Sequence, residues 1–127
     1  MMIDIPASIG EIVDKITILQ IKKENIQDKV KLKNVIFELE LLEEKLSAFS
    51  DIDISKQMEM LHSVNKELWA IEDNIRQKEK AKEFDEEFIR LARLVYYTND
   101  ERANLKKEIN VLAGSTLVEE KQYDDYK

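Results

Sequence analysis

Leu32, Val35, Leu39, Leu42, Leu46 and Phe49 stand three, four, three, four and three residues apart. That alternation draws one apolar stripe along a helix and suits no strand, whose side chains repeat every second residue. Similar spacing recurs at Met58, Leu61, Val64, Leu68, Ile71 and Ile75, and at Phe88, Leu91 and Val95. Little in the chain interrupts it, because 127 residues contain two glycines and one proline. Both residues break helices, so their scarcity leaves an all-α fold as the reading.

The stop and start signals divide a single domain, residues 1–127, into four long helices. Ser8 and Glu11 form a capping box, with a hydroxyl for an orphan amide and a carboxylate three residues on, so helix one is expected over 8–26. Its apolar residues Ile9, Ile12, Val13, Ile16 and Leu19, flanked by Ile18 and Ile21, make a wide stripe and predict the most buried helix. Gln27-Asp28 interrupts before helix two, 29–49. Asp51 or Asp53 is placed to cap helix three, 54–80, and helix four runs over 85–113 up to Gly114. Residues 115–127 form an acidic tail. At 1.5 Å per residue, helix one is about 27 Å long and helix four about 42 Å. An elongated antiparallel bundle follows, and the unmatched length of helix four argues for a homodimer through the long helices.

Composition narrows the function. Charged residues make up 37% and the net charge is −7, which disfavours nucleic acid or an anionic membrane surface as partner. The absence of cysteine excludes disulfides and thiolate metal sites. No apolar run approaches a membrane span, and MMIDIPASIG lacks the basic and apolar regions of a signal peptide, so a cytoplasmic protein is expected. No metal or cofactor is expected either. Glu59 and His62 have di-iron helical spacing, but His62 is the single histidine. Asp51, Asp53 and Ser55 open like a calcium loop, which then fails with Lys56 at its glycine position.

Helix four carries the anomaly. Its three-four count continues through Thr98 and Arg102, a hydroxyl and a guanidinium at core positions, before Leu105, Ile109 and Leu112. Thr98 and Glu101 also form a capping box, but the unbroken phase favours a continuous helix. A guanidinium on the core seam needs a partner, because an unpaired buried charge is costly. Asp14, at the edge of the helix-one stripe, is the natural one if helices one and four are neighbours. The alternative partner is an anionic ligand, whose carboxylate or phosphate suits the planar fork of Arg102. The candidate ligand residues are Asp14, Lys15 and Lys22 on helix one, and Tyr96, Asn99, Asp100, Arg102 and Lys106 on helix four.

Three stretches, IGEIVDKITILQIK at 9–22, TNDERANLKKEIN at 98–110 and GSTLVEEKQY at 114–123, resemble a family of short bacterial helical proteins with no assigned function. That resemblance implies a setting near sugar and cell-surface polysaccharide metabolism, and no reaction. EIVDKITILQIKKE at 11–24 is also similar to the first helix of the all-helical chorismate mutases, which bind a dicarboxylate with inward arginines and lysines. Here helix one has no arginine, Ala7 lies near the place of the first, and Lys22 or Lys23 would stand for the basic residue at the helix end.

Two function classes follow. The favoured one is a helical self-association or protein-interaction module, in which Thr98 and Arg102 set register. The other is a small-anion binder or enzyme with its site between helices one and four.

Overall fold

A computed structural model of the protein describes residues 1–126. Four helices account for its regular structure, and no strand occurs among the described residues: α1 (Ile9–Asn25), α2 (Lys29–Ser47), α3 (Ser55–Ala81) and α4 (Glu86–Ala113). Local chemistry sets most of the ends. The Ser8 hydroxyl accepts from the Glu11 amide at 3.1 Å. The Asp28 carboxylate accepts from the amides of Val30 and Lys31, each at 3.0 Å. Asp85 does the same for Phe88 at 3.0 Å. Gly114, with φ of 64°, ends α4 in the left-handed region that its missing Cβ permits.

Two ends differ from expectation. Ile54, not Asp51 or Asp53, occupies the N-cap position of α3 and offers no side-chain acceptor; Asp53 still takes the Ser55 hydroxyl at 2.8 Å. Helix two stops at Ser47, so Phe49 leaves the seam and is exposed in the following turn. A three-four spacing continues as readily past a helix end as within it, which is why the stripe overran.

α1 is the centre of the bundle and packs against each of the other three helices, while α3 and α4 pack on one another as a long hairpin. Its width of apolar surface serves two cores. Val13 sits with Ile54, Leu61, Leu105 and Ile109. Ile16 and Leu19 sit with Val35 and Leu39 of α2. α4 passes unbroken through Thr98, which is buried in the interior. The Thr98–Glu101 pair therefore does not act as a cap. The length mismatch is resolved within the chain: the distal parts of α3 and α4 extend as a two-helix hairpin around Ile71 and Leu91. Lys78 closes its turn, reaching Glu83 at 3.0 Å and Asp85 at 2.8 Å.

α1 and α4 cross closely at Gly10. Its amide donates to Asn110 Oδ1 at 2.7 Å. A Cβ at this position would lie 2.5 Å from the Lys106 carbonyl oxygen and 2.7 Å from Asn110 Oδ1. Gly10→Ala is expected to lower stability by about 1–3 kcal/mol through overpacking, despite a helix-propensity gain of up to about 1 kcal/mol. Urea denaturation measures the net effect; an unchanged or raised midpoint would contradict the close crossing.

Candidate functional site

Asp14 is fully buried in the middle of α1. Two side chains, from α4 and α3, answer its charge. Arg102 of α4 grips it in a fork, Nε to Oδ1 at 2.9 Å and Nη2 to Oδ2 at 2.6 Å. Asn65 of α3 donates to Asp14 Oδ1 at 2.9 Å and to Thr17 Oγ1 at 2.8 Å. Thr17, also fully buried, donates in turn to the Asp14 carbonyl at 2.8 Å. A buried carboxylate is tolerable only when hydrogen-bonded and paired, and this one has both. No buried side-chain polar atom among the described residues lacks a partner.

Arg102 is more than a counter-ion. Its side chain is 27% exposed, against 1% for Asp14. A guanidinium has five N–H donors. Two are spent on Asp14, and a third reaches Asn99 Oδ1 at a long 3.5 Å. The fork is thus immobilised with donors to spare. Its hydrogen bonds to Asp14, opposed by burial, hold its pKa above the ordinary arginine value, so it stays charged.

Arg102 lines a cleft of about 390 Å³ between α1, α3 and α4. Ile18, Ile21 and Leu68 supply apolar surface, and Trp69 stands at the edge. Lys22, Arg76 and Arg102 bring three cations against the carboxylates of Glu72 and Asp73. Arg76 is tied to Glu72 at 3.3 Å. Lys22 has no ion-pair partner among the described residues. With Asp14 behind Arg102, the three cations meet three carboxylates, so in a chain of net charge −7 this wall is locally balanced.

A second assembly lies one turn further along α4. Lys106 is nearly buried and meets Glu11 of α1 at 2.8 Å and Glu119 of the tail at 2.9 Å. Burial disfavours its charged form, but the two carboxylates outweigh that and raise its pKa. The tail runs back along α4. Its Tyr126 packs edge-on against Tyr96 and Tyr97, and its hydroxyl donates to Asp100.

The residues proposed from sequence therefore fall into separate places. Asp14, Asn99 and Arg102 form one cluster, joined at the cleft by Lys22. Tyr96, Asp100 and Lys106 serve the tail. Lys15 joins neither: it is exposed and leans toward Glu38 of α2 at 3.9 Å. One residue beyond Asp14, it is turned about 100° around the helix, away from α3 and α4. Sequence reasoning missed Asn65, Thr17, Trp69, Arg76 and Glu119 as site residues. Asn65 was legible in principle, as a polar residue between Leu61 and Leu68 on the α3 stripe.

A family model matches residues 1–126. The chain belongs to DUF6165, a family of unknown function. No curated protein and no solved structure matches it. Family membership thus supplies a pattern without a reaction, and the chemistry has to be read from the geometry. Among the described residues, no helix is long and apolar enough to cross a membrane.

The pair at the centre has unequal partners. Arg102→Met strands a fully buried carboxylate and is expected to cost about 3–5 kcal/mol. Asp14→Asn leaves a guanidinium that can turn to water, and should cost less. Equilibrium unfolding of the two variants compares them; equal costs, or the reverse order, would mean that Asp14 is not desolvated as described. The tail contact also has a pH dependence. Lys106 holds the Glu119 carboxyl below its ordinary value, so the contribution of this pair is present above the ordinary glutamate range near 4.3 and fades as pH falls through the lowered value. NMR signals of residues 116–126 are expected to move toward unstructured positions in acid, and not between pH 6 and 8.

Proposed function

We propose that the protein binds a small anion with a ring-shaped body, a phosphate or carboxylate on a sugar-like or aromatic frame, in the cleft between α1, α3 and α4. The observation that carries this reading is Arg102. It is locked in place by Asp14 from behind, and it borders a solvent-reachable cleft with N–H donors unspent. An arginine that served only register would be enclosed with its donors satisfied. Prepositioning a fork lowers the entropy lost when an anion docks. Lys22 adds a positive charge on one wall, without an ion-pair partner among the described residues. Trp69, Leu68 and Ile18 offer the flat and apolar surface that a ring would cover. The volume, about 390 Å³, lies at the lower end of the range for small-molecule sites.

The resemblance to proteins near sugar and polysaccharide metabolism makes sugar phosphates the first probes. Nucleotide sugars, dicarboxylates and chorismate are the next, the last covering the weaker likeness to chorismate mutases. Trp69 is the single tryptophan, so its fluorescence reports on the cleft without a label. A ligand at a hundred times its dissociation constant is expected to add about 2.7 kcal/mol of stability. The gain should disappear in Lys22→Met and Arg76→Met, neither of which touches Asp14. A flat thermal-shift screen, with no change in tryptophan emission, would sink the reading.

Self-association has one observation in its favour. α2 packs chiefly on α1, and Val30 and Phe37 on its outer side are 73% and 63% exposed. A second copy covering them would make the protein a homodimer. Sedimentation equilibrium of the wild type and of Phe37→Glu tests this: a dimer that becomes a monomer supports it, and a monomeric wild type at high micromolar concentration removes it.

A further inference from the structure

The tail is an unusual neighbour for a lysine that is 12% exposed. Residues 116–126 are exposed and lack regular secondary structure, yet they deliver one carboxylate onto Lys106 and one aromatic ring between two others. The span they follow along α4, from Gly114 back to Asp100, is about 21 Å at helical rise. Twelve extended residues reach about 40 Å, so the tail lies with slack and is not stretched into place. Beneath it is a space of about 580 Å³. The α4 wall of that space carries Lys106, Lys107 and Asp100, while Glu119, Glu120, Lys121 and Asp125 come from the tail itself. Lys106 already has a fixed partner in Glu11. It nonetheless takes a second carboxylate, from Glu119, whose backbone belongs to no helix.

We propose that residues 115–126 form an intramolecular strap, in which Glu119 occupies an anion position on Lys106 that a free phosphate or carboxylate takes when the strap opens. This position is distinct from the cleft, since Lys106 does not line the cleft. The strap is an acidic peptide bound in cis. Tethering gives it an effective concentration in the millimolar range, so it holds its place against dilute anions and yields to concentrated or multivalent ones. Tyr126 acts as the clasp: its ring is held by Tyr96 and Tyr97, and its hydroxyl by Asp100. Releasing the clasp, seven residues from Glu119, frees the carboxylate without altering any charge near Lys106.

Inorganic phosphate is the probe, followed by NMR titration of the full chain. Tryptic cleavage after the exposed Lys121 reports strap opening. Tyr126→Ala is expected to speed that cleavage and to tighten phosphate binding about two- to fivefold, the range of a part-exposed ion pair. Glu119→Gln should tighten binding to a similar extent, and Lys106→Met should abolish it. In the wild type, phosphate should itself accelerate cleavage at Lys121. The proposal is overturned if Tyr126→Ala changes neither cleavage nor affinity, or if it opens the strap without improving phosphate binding. Phosphate binding that survives Lys106→Met but is lost in Arg76→Met would leave the cleft reading standing and remove this one. Binding lost in Lys106→Met and unaffected in Arg76→Met would do the opposite.

Discussion

A carboxylate without access to water stands at the middle of the most buried helix, and the arrangement of the other helices follows from what it requires. Asp14 can remain charged there only if a cation and further donors reach it from neighbouring elements. Arg102 reaches it from α4 and Asn65 from α3. Apolar packing by itself tolerates sliding of one helix along another, because one leucine fits much like the next. A bidentate fork 2.6 and 2.9 Å from its acceptors does not. The polar cluster therefore sets the relative position of α1, α3 and α4, while the surrounding apolar residues supply the bulk of the burial.

The same cluster positions both the cleft and the tail contact. Arg102 is fastened on its inner side to Asp14, so its outer side is presented in a fixed orientation at the cleft. One turn along α4, Lys106 is fastened to Glu11 of the same α1 helix. α1 thus places two acidic residues, at positions 11 and 14, against two basic ones, at 106 and 102, in reverse order along an antiparallel crossing. The close approach at Gly10 and Asn110 continues that line. Each cation is neutralised from within the fold and keeps contact with an outer space, the cleft for Arg102 and the strap for Lys106. A chain of net negative charge thus places carboxylates of α1 on the interior side of two α4 cations.

Much of this was legible in the order of residues. The three-four spacing, with few helix breakers, determined four helices, and short polar signals such as Ser8, Asp28, Asp85 and Gly114 set most of their ends. The polar interruption of the α4 stripe at Thr98 and Arg102 identified the place where apolar packing gives way. Asp14 was recognisable as a partner, given α1 and α4 as neighbours, because it stands at the edge of the α1 stripe. These are local properties, set by the period of a helix and by the cost of burying charge. They hold whatever the rest of the chain does.

Only the tertiary structure decided which distant side chains complete each site. Asn65 joins Asp14 and Thr17 because α3 runs alongside α1 at that height. Trp69 and Arg76 face Lys22 for the same reason, while Lys15 is turned toward α2. Glu119 and Tyr126 reach α4 because the chain reverses after Gly114. Helical periodicity specifies the direction of a side chain around its own axis, and carries no information on which neighbour lies in that direction or how far along it has slid. Those are set by the close crossing at Gly10 and the fork on Asp14, contacts between residues 100 and 88 positions apart.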